Sequence, residues 1–155
     1  MGMFAEPVDD TAARVAAFEA SLASVLSSRV VSPGFTPAGM RSTDDLQAGV
    51  VNVVLAREFD YGRAFGLTAI DAGTEVLLIC HLQVDEDESC GRGELSTAVR
   101  AAELALLAEI KTFCRTKIDG IEVLLNSVEF SRQLEAPMGW LVATVEMRPP
   151  AASTN

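Results

Sequence analysis

One long amphipathic helix pattern constrains this chain more than any other feature. From Glu94 to Lys117, the residues Leu95, Val99, Ala102, Leu106, Ile110 and Phe113 recur at three- and four-residue steps. That spacing puts them on one stripe of an α-helix. The alanines at 98, 101, 102, 105 and 108 favour helix intrinsically. Glu94 lies near the start, and Lys111, Arg115 and Lys117 lie near the end, which suits the helix dipole. At about 24 residues the helix is roughly 36 Å long. A stripe of that length has to be buried, so the rest of the chain must supply an apolar surface to match it.

Alternating segments on both sides supply that surface. Ala48–Phe59 is rich in β-branched residues, with Val51, Val53, Leu55 and Phe59 to one side. In Glu75–Val84, one face carries Val76, Leu78, Cys80, Leu82 and Val84, and the other carries Leu77, Ile79, His81 and Gln83. The first half of that strand is apolar on both faces, which predicts cover from a helix and from a neighbour. After the turn at Asp119-Gly120 come Ile121–Leu134 and Trp140–Met147, joined by EAPMG. Ile121, Val123 and Leu125 share one parity while Val128 and Phe130 have the other, so a bulge near Asn126-Ser127 is expected. A first helix is expected over Asp10–Ser28, capped by Asp9 or Asp10, with Val15, Phe18, Leu22, Val25 and Leu26 on one face. Residues 32–45, with two prolines and two glycines, read as a loop, and Tyr61–Gly73 reads as another with a short strand near Leu67–Ile70.

The order helix, strand, strand, helix, strand, strand predicts an α+β two-layer sandwich. Its sheet is mainly antiparallel with four to five strands, covered by the long helix and joined by the N-terminal one. A single domain is expected over 1–148, with 149–155 as a loose tail.

Charge narrows the function. The 155 residues hold 22 acids and 12 basic residues, for a net charge of −10. Such a chain is a poor candidate for wrapping nucleic acid on a basic face. Acidity is concentrated at Asp85, Glu86, Asp87, Glu88 and Glu94, between a strand and the long helix. Asp85, Asp87 and Ser89 match the first ligand positions of a calcium loop, but Cys90 and Ser96 stand where glycine and a bidentate glutamate belong. An exposed acidic connection is the reading retained. Cys80, Cys90 and Cys114 lack CxxC spacing and are expected as reduced thiols. The strand parity points Cys80 and His81 to opposite faces, which disfavours a nucleophile pair. No nucleophile elbow, zinc-protease, Walker or dinucleotide motif occurs. No catalytic residue, cofactor or metal site is therefore expected. The start of the chain has no secretory pattern, and no apolar run reaches membrane-spanning length, so a soluble, cytoplasmically made protein is expected. Trp140, Val142 and Leu124 lie on sheet positions opposite the core series and are subunit-interface candidates.

In order and spacing the chain resembles the tail terminator, or tail-completion, proteins of long-tailed bacteriophages. The resemblance rests on a short first helix, a strand ending in VLLICHLQV, the helix LSTAVRAAELALLAEIKTF, and the closing hairpin IEVLLNSVEFSRQLEAPMGWLVATVEMRP, in which Gly-Trp opens the last strand. It covers roughly residues 10–148. It implies a virion protein of the tail end near the neck, assembled in the host cytoplasm. Such a protein forms a homo-oligomeric ring, a hexamer in that family, without catalysis. The ring caps the tail tube protein, ends polymerisation and presents a surface to the head-tail connector protein, while DNA passes through the lumen unbound. Under that resemblance the acidic segment faces the lumen or the tube interface. Two other readings stand beside it. One is a different connector or adaptor of the head-tail junction. The other is a small-molecule-binding domain or enzyme built around Arg57, Glu75, His81 and Gln83.

Overall fold

The computed structural model describes residues 11–59, 73–86, 91–118 and 120–148. The expected caps Asp9 and Asp10, the short strand near Leu67–Ile70, the acids Asp87 and Glu88, Cys90 and the C-terminal tail lie outside the described residues.

The architecture is α+β, a five-stranded mixed sheet with its main helices on one face. The elements in chain order are α1 (Thr11–Val25), β1 (Val30–Pro33), α2 (Thr43–Ala48), β2 (Val50–Phe59), β3 (Gly73–Gln83), α3 (Arg92–Arg115), β4 (Glu122–Phe130) and β5 (Met138–Arg148). The strands lie in the order β1-β2-β3-β5-β4. β1 runs parallel to β2, and every other neighbouring pair is antiparallel.

The long helix forms where the stripe predicts, displaced by two residues at each end. Val99, Leu106, Ile110 and Phe113 are fully buried. They meet Val76, Leu78, Cys80, Leu141, Ala143 and Val145 of β3 and β5 in one core cluster. α1 closes the same layer with Phe18 and Leu22, and the Phe18 ring stands edge-on to that of Phe113, with centroids 5.1 Å apart. The bulge expected near Asn126-Ser127 is present, as a register shift between Leu125 and Ser127. It lets Val123 and Leu125 before it, and Val128 and Phe130 after it, pack on the same core.

Three expectations need correction. Part of the first loop is structured. Val30-Val31 opens a short edge strand, tied by the Val30 N–H to the Gly49 carbonyl at 2.9 Å. Pro33 closes it at a sheet edge, where a missing N–H is tolerated. Ser42 then caps α2, its hydroxyl accepting from the Asp45 N–H at 3.1 Å, with Asp44 and Asp45 in the first turn. Second, α1 stops at Val25, and β4 stops at Phe130, leaving a longer turn before β5. Third, Phe59 is not on the side of Val51 and Val53. A bulge between Leu55 and Arg57 inserts one residue and reverses the parity. Phe59 therefore packs against Gly73, where any Cβ would sit 2.4 Å from its ring, with the Arg57 and Arg148 guanidinium groups each 5.0 Å from its centroid.

Phe113 joins both helices and the sheet. Phe113→Ala should lower unfolding free energy by about 3–5 kcal/mol, read as a lower urea midpoint with an unchanged slope.

Candidate functional site

The register of the central strands decides what the face away from the helices presents. Ile79 pairs with Val142, Leu77 with Thr144, and His81 with Trp140. All six are half-buried and face away from the helix layer. Leu124, opposite Glu146 on the edge strand, extends this face and is 43% exposed. Trp140, Val142 and Leu124 are thus brought onto one surface, as their parity predicts.

The described residues cover one side of that surface. After β1, residues 34–48 turn back over it. The Thr36 N–H and Arg41 Nη2 both donate to Asn52 Oδ1 at 3.3 Å, and Asn52 Nδ2 donates to the Ile79 carbonyl at 2.9 Å. Asn52 and Val50 are fully inaccessible beneath this cover, and Leu46 of α2 is 5% exposed. The stretch formed by Leu77, Val142, Thr144 and Leu124 is left with partial exposure.

Of the acidic segment, Asp85 and Glu86 lie just past the end of β3. Asp85 and Glu86 are exposed, Asp85 accepts from Gln47 Nε2 of α2, and Glu94 is exposed in the first turn of α3. The turn between β4 and β5 meets the same end, through the Val84 N–H to the Pro137 carbonyl at 3.0 Å.

That turn is held by a residue the sequence reading passed over. Glu103 of α3 is 1% exposed. Its Oε2 accepts from the Ser131 hydroxyl and, at 3.0 Å, from the Trp140 N–H, and its Oε1 accepts from Gln133 Nε2 at 3.3 Å. Three donors thus converge on one buried carboxyl group. Gly139 makes the approach possible, since a Cβ there would lie 2.9 Å from Glu103 Oε2 and 2.7 Å from Val99. Arg132 and Gln133 take left-handed backbone angles, φ 61° and 58°, beside this anchor. Two grooves flank the turn. One of about 550 Å³ runs between Phe130, Leu134 and Trp140, and one of about 420 Å³ between Arg100, Leu104 and Arg132. Leu134 at the tip is 81% exposed.

The four residues of the enzyme alternative do not converge. Arg57 pairs with Glu75 at 3.2 Å near the start of β3, whereas His81 and Gln83 are six and eight residues further along the strand. At about 3.3 Å per residue, His81 is roughly 20 Å from Glu75. Among the described residues no group of three or more His, Cys, Asp or Glu side chains could hold a metal ion, and no helix is long and apolar enough to cross a membrane. Burial pushes the Cys80 thiol far above its usual range and the Cys114 thiol up to about 11. No family model matches the chain, and no curated protein matches its sequence.

Two predictions follow from these contacts. Glu103→Ala strands the Ser131 hydroxyl and the Trp140 N–H and should cost about 1–3 kcal/mol in denaturant unfolding. Amide exchange should accelerate at Gln133 and Trp140 before it does at Leu78. For the thiols, raised pKa values mean less thiolate at pH 8. In a Cys90→Ser background, Cys114 should react roughly a hundredfold more slowly than an open thiol, and Cys80 only on unfolding. Stopped-flow labelling with a disulfide reagent reads both rates.

Proposed function

We propose that this protein is a structural ring component of a bacteriophage tail, which caps the tail tube, ends its polymerisation and offers the joining surface to the head. The observation that carries the self-assembly part is the outer sheet face. Leu77, Ile79, Val142 and Trp140 form a half-buried apolar surface that, among the described residues, is covered on one side only. Contiguous apolar surface of this kind is a recognition surface in soluble proteins. The class of assembly comes from the resemblance of the strand, helix and hairpin pattern to tail terminator proteins. A ring requires a heterologous contact, in which two different patches of one protomer meet on neighbouring copies. The acids Asp85, Glu86 and Glu94, on the end of the sheet, supply a surface that repels DNA phosphate and keeps passing DNA unbound.

Particles assembled without the protein test this reading. Headless tails of uncontrolled length in electron micrographs are the expected result, and tails of normal length with heads attached refute termination. For the interface, Val142→Asp should shift the purified protein from ring to protomer mass in light scattering, with its circular dichroism unchanged. For the acidic segment, alanine at Asp85, Glu86, Asp87 and Glu88 together should reduce assembly or DNA passage. Fully infectious particles from that variant would remove the acids from the account.

A further inference from the structure

The outer face also carries a small polar cluster, which adjoins its apolar stretch at Trp140. Asn52, fully buried, pins Arg41 over the sheet through the 3.3 Å contact with Nη2. Arg41 Nε is buried and has no hydrogen-bond partner. On the adjacent strand, the same is true of His81 Nε2. No carboxylate pairs with Arg41 among the described residues, although the chain has 22 acids to 12 basic residues. Two aromatic residues neighbour His81. The Phe35 centroid is 6.0 Å away with its side chain 52% exposed, and Trp140 is the cross-strand partner of His81.

Arg41 is close enough for its charge to act on His81, and a buried nitrogen without a partner loses its hydrogen bonds to water with nothing in return. A buried polar atom left without a partner calls for an explanation, and a bound group that supplies the missing partner is one. The cluster's chemistry selects that molecule. A guanidinium donates in a fixed fork, and an imidazole protonated at Nε2 donates one further hydrogen bond. Burial and then the Arg41 charge lower the His81 pKa from the usual histidine value, which favours the neutral imidazole. One positive charge and two sets of donors match a monoanion. A phosphate ester, with close to two negative charges, would call for a second cation. The aromatic flanks suit an apolar stem behind the charge.

We infer that Arg41 and His81, between Phe35 and Trp140 on the outer sheet face, form a carboxylate-binding site. Its occupant is a carboxylate on a short apolar stem, delivered either by an acidic side chain of a second copy or by a small organic acid. The site does not depend on the ring reading, because its ligand can be titrated into the isolated protomer.

The chain has one histidine and one tryptophan, so both flanks report without assignment. Sodium acetate at constant ionic strength near pH 7 is the probe, followed by the imidazole nitrogen shifts in long-range proton–nitrogen spectra and by Trp140 emission. A saturable change in both is expected. Arg41→Gln retains a donor for Asn52 and should raise the acetate Kd about tenfold or more, the scale of one charge-assisted contact. Arg41→Lys should fall between the two. His81→Gln, read through Trp140, gives a second variant should Arg41→Gln fail to fold. No saturable change in the native protein, or equal affinity in both Gln variants, overturns the site. Sedimentation with and without acetate separates the sources. Loss of assembly on adding acetate, reproduced by Arg41→Gln, identifies a second copy's carboxylate. Acetate binding with unchanged mass identifies a small organic acid.

Discussion

The packing of one helix stripe across two central strands governs the rest of the structure. Val99, Leu106, Ile110 and Phe113 press on Leu78, Cys80, Leu141 and Ala143, and fully burying each such side chain contributes about 1.5–3 kcal/mol. This contact fixes the strand register as well as the layer. β3 and β5 pair from Thr74–Met147 through to Gln83–Met138. A slip of one residue would turn Leu78 and Ala143 outward and bring His81 and Thr144 into the core. The identity of every outward-facing residue, Trp140 and Val142 included, therefore follows from what α3 demands on the other face.

The same stripe explains the turn between β4 and β5. Positions 99, 103, 106, 110 and 113 form a regular alternation of four and three steps, and a charged residue occupies the second of them. Glu103 sits beyond the end of the strand pairing, where the chain leaves β4 at Ser131 and re-enters at Met138. It faces backbone and side-chain donors there. A leucine at 103 would have left the Trp140 N–H and the Ser131 hydroxyl unsatisfied. The carboxylate substitutes polar satisfaction for apolar burial, and it gives a seven-residue turn with two left-handed residues a defined shape. That shape places Leu134 in water with the two grooves on either side.

What the sequence discloses, and what it hides, follows the range of the interactions. Periodicity is local, so α1, α3, the long strands and even the Leu125/Ser127 bulge are legible from parity and spacing. The outward placement of Trp140, Val142 and Leu124 is legible for the same reason. β1 is hidden because its four residues offer no alternation, and it is a strand only because Val50–Val53 lies alongside. α2 carries a real signal, Ser42 three residues before Asp45, which two prolines and two glycines upstream obscure. The reversal at Phe59 is hidden because the extra residue near Ala56 is chosen by register with β3. Glu103 was detectable as a charge on an apolar stripe, yet its partners lie about 30 residues later, and no local pattern names them. Arg41 and His81 are further apart still in sequence, and only the return of residues 34–48 over the sheet brings them together.

The charge distribution bears on how copies could meet. The net charge of −10 would repel two protomers uniformly if it were spread evenly. It is not. Asp85, Glu86 and Glu94 are exposed at one end, whereas the outer face near β1 holds Arg41 without an acid partner among the described residues. In an isologous pair through the outer face only residues on the two-fold axis meet their own copies, so Arg41 would face a different part of the partner's outer face. In the proposed ring, a heterologous contact would set the end that carries Asp85 and Glu86 against the outer face of the next protomer, and Trp140 and Val142 would lose water there. Contacts of that kind close into rings or continue as filaments. Which of the two forms is set by the rotation between successive copies: a rotation that closes gives a ring, and one that does not gives a filament.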